Sequence, residues 1–435
     1  MIVKTITDLI GNTPMLEIPP ELTGLQNIDL YAKLEHLNPF GSLKDRTAWG
    51  MIKDDLDMLK KDNRTIYENS SGNTAKSLAA IAGIHGLKFK LVAALSKVEE
   101  QKHVMQIQDA EIQEIAVASD CFDPSDPNDP QFLIERTASA NPNSVYFPSQ
   151  FTNSKNPAFH EATTAREILD DIDTVDYFFA GLGTSGSSMG ITNVFRQHNP
   201  DFTSIGITAR ANDFIPGIRA MGQLWETGLF RKDVYNDMVS LSSMEALDGM
   251  LELNRKCGIL CGPSSGANYT AALDYLRKID GTLTTRKKAV FLINDRMEWY
   301  ISYVRERMPE IFGDRAKENA IQHFDSETAS PAPAISADDL DQWLAQHPDA
   351  LIVDIRSSDS FKMLTIPNSM NMPVEMFEKW IDNNNPFPSD KPVVLVCAIG
   401  ERSRHYAAYL RTMNCNAYNL DGGIMAWYDD CKIAA

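Results

Sequence analysis

Short apolar runs alternate with amphipathic stretches along most of this chain. Leu30-Tyr31-Ala32-Lys33, Lys90-Leu91-Val92-Ala93, Tyr177-Phe178-Phe179-Ala180 and Ala289-Val290-Phe291-Leu292-Ile293 read as buried strands. Helical patterns occupy Thr47 to Lys60, Ala75 to Gly86, Lys97 to Gln108 and Ile191 to His198. That succession predicts βα units built on parallel sheets. A polar, proline-punctuated stretch then intervenes, Asp325-Ser326-Glu327-Thr328-Ala329-Ser330-Pro331-Ala332-Pro333-Ala334. Beyond it a second βα pattern begins: Ala350 to Asp354, Pro392 to Val396, then a helical stretch from Arg402 to Met413. The expected organisation is an α/β region over 1–312, a linker over 313–333 and a smaller α/β region over 334–435. No internal repeat is visible.

Length and composition narrow the classes. The 435 residues allow two or three domains, each with its own core. A content of 43 % hydrophobic and 23 % charged residues is that of a soluble globular protein. A net charge of −18 argues against nucleic acid and anionic membrane surfaces as partners. No apolar run is long enough for a bilayer, and the first residues lack a secretory core. The six cysteines are scattered, with neither CxxC nor zinc-like spacing, so no metal is expected. Reduced thiols and a cytoplasmic location follow as the expectation.

Lys44 is the first candidate for chemistry. It follows the turn Asn38-Pro39-Phe40-Gly41-Ser42-Leu43, just where a helical stretch begins, a place better suited to meeting a ligand than to packing. The strand at Tyr177 runs into Gly181-Leu182-Gly183-Thr184-Ser185-Gly186-Ser187-Ser188-Met189-Gly190, with a helix following. Backbone N–H groups, hydroxyls and a helix start in that order form a cradle for one phosphate. The loop fits neither a P-loop nor a dinucleotide fingerprint. Glu68-Asn69-Ser70-Ser71-Gly72-Asn73-Thr74 offers a similar arrangement suited to a carboxylate, and Gly258 to Ala267 another Gly/Ser loop. Lysine, phosphate cradle and carboxylate cradle together point to a phosphorylated aldehyde cofactor and an amino acid.

With these motifs in this order, the stretch from Gly11-Asn12-Thr13-Pro14-Met15 to about Asp295 resembles the fold-type II pyridoxal-phosphate enzymes of the cysteine synthase and cystathionine β-synthase group. The resemblance implies two three-layer αβα subdomains, pyridoxal 5'-phosphate as cofactor and a homodimer. It also implies that Lys44 binds the cofactor covalently and removes the substrate α-proton. By the same resemblance Gly183, Thr184, Ser185, Gly186 and Ser187 hold the phosphate, Asn73 the ring hydroxyl and Ser264 the pyridine nitrogen. Ser70, Ser71, Gly72 and Thr74, with Gln150, clamp the substrate carboxylate. Ser70 and Ser187 stand where the group commonly has threonine, and Ala75 where it has glycine; hydroxyls or small size are kept. Arg210 and Arg219 flank Ile215-Pro216-Gly217-Ile218 near the expected mouth of the site. Either offers a contact for an anionic leaving group or a second carboxylate.

The second region has chemistry of its own. Its strand Pro392 to Val396 ends on Cys397-Ala398-Ile399-Gly400-Glu401-Arg402-Ser403. A thiol at a helix start, beside Arg402, favours the thiolate. Asp354-Ile355-Arg356, Ile366-Pro367-Asn368-Ser369 and Leu420-Asp421-Gly422-Gly423-Ile424-Met425-Ala426-Trp427 resemble motifs of the rhodanese family, which implies a parallel-sheet domain. Four residues separate Cys397 from Arg402, the loop length of sulfurtransferases. The resemblance therefore makes Cys397 a persulfide carrier and Arg402 a substrate contact. With Ala398 and Glu401 in the loop, thiosulfate is not the expected donor. The reading is an enzyme that makes cysteine from an activated serine, O-acetylserine or O-phosphoserine, with a sulfurtransferase module attached. Competing readings are a cystathionine synthase, a cysteine desulfhydrase, a synthase using a nitrogen nucleophile, and a sulfur-carrier scaffold with an idle first domain.

Overall fold

The computed structural model describes residues 2–70, 72–94, 98–115, 129–313, 324, 331–382 and 387–433. The chain divides into two compact units, one of Met1–Ile115 with Ile134–Ala316, the other of Ala116–Leu133 with Lys317–Ala435. Most of the linker expected over 313–333 lies outside the described residues, as does Ser71.

Two sheets build the first unit. The larger runs in the order Met15–Glu17, Ile28–Leu34, Lys287–Ile293, Tyr177–Gly181, Thr203–Ala209, Asp237–Leu241. All its neighbours are parallel except the edge strand Met15–Glu17, which is antiparallel. The smaller is parallel throughout: Glu111–Ile115, Phe89–Ala94, Thr65–Glu68, Val145–Tyr146. The second unit holds five parallel strands in the order Ala334–Ile335, Ala417–Leu420, Val393–Val396, Leu351–Asp354, Met370–Asn371. The α/β architecture read from the pattern is present in both regions.

Continuous apolar strands arise because each has a core on either face. In Lys287–Ile293, Ala289, Phe291 and Ile293 enter the core that includes Leu247, Leu253, Tyr269 and Leu276. Val290 and Leu292 enter the opposite core with Ile168, Ile191, Val194 and Phe195. The second unit repeats the device: Val393 and Leu395 go to one core, Val394 and Val396 to the other.

Helix starts differ from the apolar pattern in a consistent way. The first helix begins at Lys44, not Thr47, and is interrupted: Lys44–Ile52, a 3-10 turn Lys53–Asp55, then Leu56–Lys61. The next begins at Asn73 instead of Ala75, and the helix expected from Ile191 covers Gly186–His198. Apolar periodicity misses such first turns because polar and glycine residues occupy them, where backbone N–H groups are still unpaired. Cys257 ends the helix Ser243–Cys257, and Cys261 forms an isolated bridge with Arg296.

A buried ion cluster fixes the Lys44 helix. Arg46 donates to Glu35 from Nε (2.7 Å) and Nη2 (2.9 Å), and to Glu167 from Nη1 and Nη2 (both 2.6 Å). Lys33 Nζ lies 3.0 Å from Glu167, completing two cations and two carboxylates. Burial pushes the Glu167 carboxyl upward, but the Arg46 hydrogen bonds and the charges of Arg46 and Lys33 prevail and bring it to about 2. Arg46→Met, which strands Glu35 as a lone buried charge, is expected to cost about 3–5 kcal/mol in denaturant unfolding of the first unit. Glu167 titrates below its ordinary 4.5, so its contribution is present above that pH and lost as pH falls through about 2. Glu167→Gln should therefore flatten the acid limb of the stability profile.

Candidate active site

Lys44 opens its helix half-buried, directly behind a turn that Asp45 organises. The Asp45 carboxylate accepts the Phe40 N–H (2.7 Å) and the hydroxyls of Ser42 (3.2 Å) and Ser77 (2.7 Å). Leu43 donates its N–H to the Asn294 carbonyl at 2.7 Å, seating the turn at the carboxyl end of the strand Lys287–Ile293. Burial lowers the Lys44 amine to about 8, with the charge of Asp295 acting against it. Among the described residues Lys44 Nζ has no hydrogen-bond partner. Behind the helix, buried His160 bonds Thr47 Oγ1 (3.1 Å) and Thr164 Oγ1 (2.9 Å). Burial and the nearby Arg46 and Lys44 charges keep that ring neutral.

The strand Tyr177–Gly181 delivers the glycine loop to the start of Gly186–His198, as the sequence implied. Ser185 takes a left-handed conformation (φ 65°), and Thr184 Oγ1 accepts the Gly186 N–H at 3.3 Å. A Cβ on Gly183 would lie 2.6 Å from the Gly217 carbonyl oxygen, and one on Gly186 2.3 Å from the Asn156 side-chain amide. Bare backbone is therefore required here, and Gly186 and Ser187 sit in the first helical turn, where N–H groups await an anion.

The carboxylate loop closes on Gln150. Ser70 Oγ accepts the N–H groups of Gly72 (3.3 Å) and Ala75 (3.4 Å). Thr74 Oγ1 donates to Gln150 Oε1 at 2.6 Å, and Gln150 Nε2 donates to the Asn69 carbonyl at 2.9 Å. Asn156 joins this loop to the phosphate cradle, donating from Nδ2 to the Gln150 carbonyl (2.9 Å) and Thr184 Oγ1 (3.3 Å). Ser264, in the first turn of Pro263–Ile279, accepts Asn294 Nδ2 at 3.1 Å. Asn73 Nδ2 donates to Asp295 Oδ2 at 2.5 Å. Lys44, Asn73 and Ser264, remote in sequence, thus converge on the two residues that follow one strand.

Asn156, Asn294 and Asp295 were not singled out from sequence. The signal available was a polar pair ending an all-apolar strand, since ligands gather at carboxyl ends of parallel strands. Arg210 lies apart from these contacts, ion-paired to Glu245 at 3.1 Å. Arg219 is nearer: its N–H donates to the Leu182 carbonyl (2.8 Å), and its guanidinium lies 5.0 Å from the centroid of the Phe151 ring.

In the second unit Cys397 is buried at the end of Val393–Val396, ahead of the helix Glu401–Thr412. Ser403 presents its N–H (3.4 Å) and Oγ (3.3 Å) to Cys397 Sγ, and its hydroxyl also reaches Asn419 Oδ1 at 2.6 Å. The Leu420 to Trp427 motif holds the loop, since Ile424 and Met425 donate their N–H groups to the carbonyls of Cys397 (2.9 Å) and Ala398 (3.1 Å). Asp354 and Arg356 form a buried pair at 2.7 Å, and Asn368 adopts the left-handed conformation (φ 63°) its turn requires. Arg402 occupies the first helical turn, half-buried.

Two folds and two sites define a two-part enzyme. The chain belongs to the pyridoxal-phosphate dependent enzyme family, whose model matches residues 6–295, and carries a rhodanese-like domain matched over 336–430. It is 32 % identical to cysteine synthase B of Campylobacter jejuni over 308 residues, 69 % of this chain and 97 % of that protein. It is 28 % identical to a cysteine synthase of Staphylococcus aureus over 311 residues, 69 % and 96 % of the two chains. Among solved structures it is similar to an O-acetylserine dependent cystathionine β-synthase from Helicobacter pylori, with a TM-score of 0.61 and 28 % identity over 69 % of this chain and 98 % of that one. A hydrogen sulfide-producing enzyme from Fusobacterium nucleatum matches with a TM-score of 0.60 and 29 % identity, covering 69 % and 100 %. This is a cysteine synthase-like enzyme that uses pyridoxal phosphate, and its residues fit that cofactor: an amine without a hydrogen-bond partner among the described residues, and a loop in which Gly183 and Gly186 leave no room for a Cβ.

Gly186→Ala should push the Asn156 amide out of place at a cost of about 1–3 kcal/mol. Cofactor affinity, measured by reconstitution of the stripped protein, is expected to fall by about tenfold or more while the fold is kept.

Proposed function

We propose that this protein makes L-cysteine by β-replacement on an activated serine, O-acetylserine or O-phosphoserine, and that Cys397 handles sulfur as a persulfide. The observation that carries the reading is the convergence of Lys44, the Gly183 to Ser187 cradle and the Thr74–Gln150 clamp in one unit. Similarity to cysteine synthases supports the substrate class. In this reading Lys44 holds the cofactor covalently, Gly183, Thr184, Ser185, Gly186 and Ser187 hold its phosphate, Asn73 its ring hydroxyl and Ser264 its ring nitrogen. The bound cofactor supplies an aldehyde for amines and an electron sink for charge at the substrate α-carbon.

The protein's own groups do the rest. Ser70, Gly72, Thr74 and Gln150 orient the substrate carboxylate, which fixes the α-hydrogen towards Lys44. An amine lowered to about 8 is partly uncharged near neutrality and can take that proton on Nζ. Loss of the β-leaving group opens the β-carbon to a sulfur nucleophile. Arg219, whose guanidinium lies against Phe151 and donates to the Gln223 carbonyl, and Arg210, paired with Glu245, are the two arginines offered for an anionic leaving group.

At Cys397 the sulfur attacks a sulfane sulfur donor, forming one S–S bond as the donor's is broken. In this reading Arg402, in the first turn of the helix that follows the loop, is the contact for the donor. The reverse direction, release of sulfide from cysteine, is the second reading, favoured by likeness to a hydrogen sulfide-producing enzyme.

Titrating the coloured protein with O-acetylserine, O-phosphoserine, serine and cysteine, one at a time, tests both. A change in the visible spectrum with one activated serine, and cysteine formed on adding sulfide, is the expected result. A response to cysteine alone, with sulfide released, reverses the direction. Cys397→Ser should abolish sulfane-sulfur transfer and leave the bound cofactor unchanged; persistent transfer would remove the persulfide role.

A further inference from the structure

A second buried lysine lies close to the site and is given no task by the reading above. Lys76 is 1 % exposed, on the same helix as Asn73. Among the described residues its Nζ has no hydrogen-bond partner, and it lies 3.9 Å from the centroid of the Trp299 ring. An ammonium so deeply placed needs a compensating charge. One is at hand in Asp295, 2 % exposed.

Asp295 is half satisfied. Its Oδ2 accepts Asn73 Nδ2 at 2.5 Å and the Tyr300 hydroxyl, whereas Oδ1 is buried without a partner among the described residues. Gly262 makes the space for that oxygen, since a Cβ there would lie 2.4 Å from it. The backbone is equally fixed: Asp295 bridges to Ser42, two residues before Lys44, and its carbonyl accepts the Gly262 N–H at 3.1 Å. Around the carboxylate stand Tyr300, Lys76, Asn73 and Lys44, with the Cys261 thiol also within its field. Lys76 in turn faces Asp45, Asp295, Arg296 and Glu298. Burial raises the Asp295 carboxyl, and Tyr300, Lys76, Asn73 and Lys44 act against it. Of the two lysines, Lys44 is the one the reading above bonds to the cofactor; Lys76 stays a free amine, lowered by burial to about 8 against the charges of Asp45 and Asp295.

We propose that Asp295 Oδ1 is the acceptor that receives the Lys44 amine once substrate has displaced it, and that Lys76 is the resident cation keeping Asp295 an anion for that task. Both are positioning residues, and the inference rests on Lys44 being the lysine that carries the cofactor. One proton moves in the step they support. It leaves the substrate α-carbon, the electron pair stays behind, and the proton ends on Lys44 Nζ as an ammonium that donates to Asp295 Oδ1. A neighbouring anion makes the amine the stronger base and keeps it within reach.

The test uses full-length protein freed of cofactor with hydroxylamine, and follows recovery of colour with pyridoxal phosphate as a function of pH. Capture needs the uncharged amine, so the wild-type rate should rise with a midpoint at about 8. Asp295→Asn removes the anion, and its midpoint should fall by about one pH unit. Lys76→Met should move it the same way, because without that cation burial drives Asp295 towards its neutral form. The double variant should move it no further than Asp295→Asn alone. Should the single Asp295 variant prove insoluble, the double variant, in which Lys76 no longer faces an emptied Asp295 position, carries the measurement. An unmoved or raised midpoint in coloured Asp295→Asn protein overturns the inference, and additive shifts overturn the part given to Lys76. Colour recovered by Lys44→Ala with the wild-type profile would instead strike the reading of Lys44 itself.

Discussion

The cost of holding cations away from water organises the first unit. Lys33, Arg46 and Lys76 are essentially unexposed, and Lys44 is half-buried on the same helix as Arg46. Arg46 is compensated in full by Glu35 and Glu167, which turns a liability into a lock. Two residues away, Lys44 receives no such compensation, only the field of Asp295. One short helix therefore carries a charge that cannot leave and an amine that remains available. Rigidity behind the site and reactivity within it come from the same element, because the two side chains point to differently furnished surroundings.

A common device builds both sites. An apolar strand, buried on each face, stops abruptly and hands over to polar backbone at its carboxyl end. Lys287–Ile293 hands over to Asn294 and Asp295, Tyr177–Gly181 to the glycine cradle, and Val393–Val396 to Cys397. What differs is the furnishing. The Cys397 sulfur is met by the N–H and the hydroxyl of Ser403. The loop before Gly186–His198 is packed so closely against Gly217 and Asn156 that neither Gly183 nor Gly186 can carry a Cβ. Asn156, bonded both to Gln150 and to Thr184, makes the substrate loop and the cradle one piece, so that anything disturbing one is felt by the other.

Much of this was legible along the chain. The strands were found where apolar runs stand, since a strand buried on both faces must be apolar throughout, and the glycine, serine and cysteine loops were found because their chemistry is local. Helix starts were read two to five residues late at Asn73 and Gly186, where the first turn is built from residues that cap and bind rather than pack. The Asp354–Arg356 and Asn368 motifs, matched by resemblance, proved to be a buried ion pair and a left-handed turn, both structural.

Residue types in sequence order determined the fold class, the pyridoxal-phosphate family and the rhodanese-like module, because strand periodicity, glycine loops and a cysteine at a strand end are properties of neighbouring residues. Which groups share a site was decided only in three dimensions. Asn73 meets Asp295 across 222 positions of sequence, Ser264 meets Asn294 across 30, and Arg46 meets Glu167 across 121. The pairing of buried charges likewise depends on which surfaces the packed layers remove from water. No periodicity along the chain records that, since the free energy of a buried lysine is set by whatever carboxylate the fold brings to it.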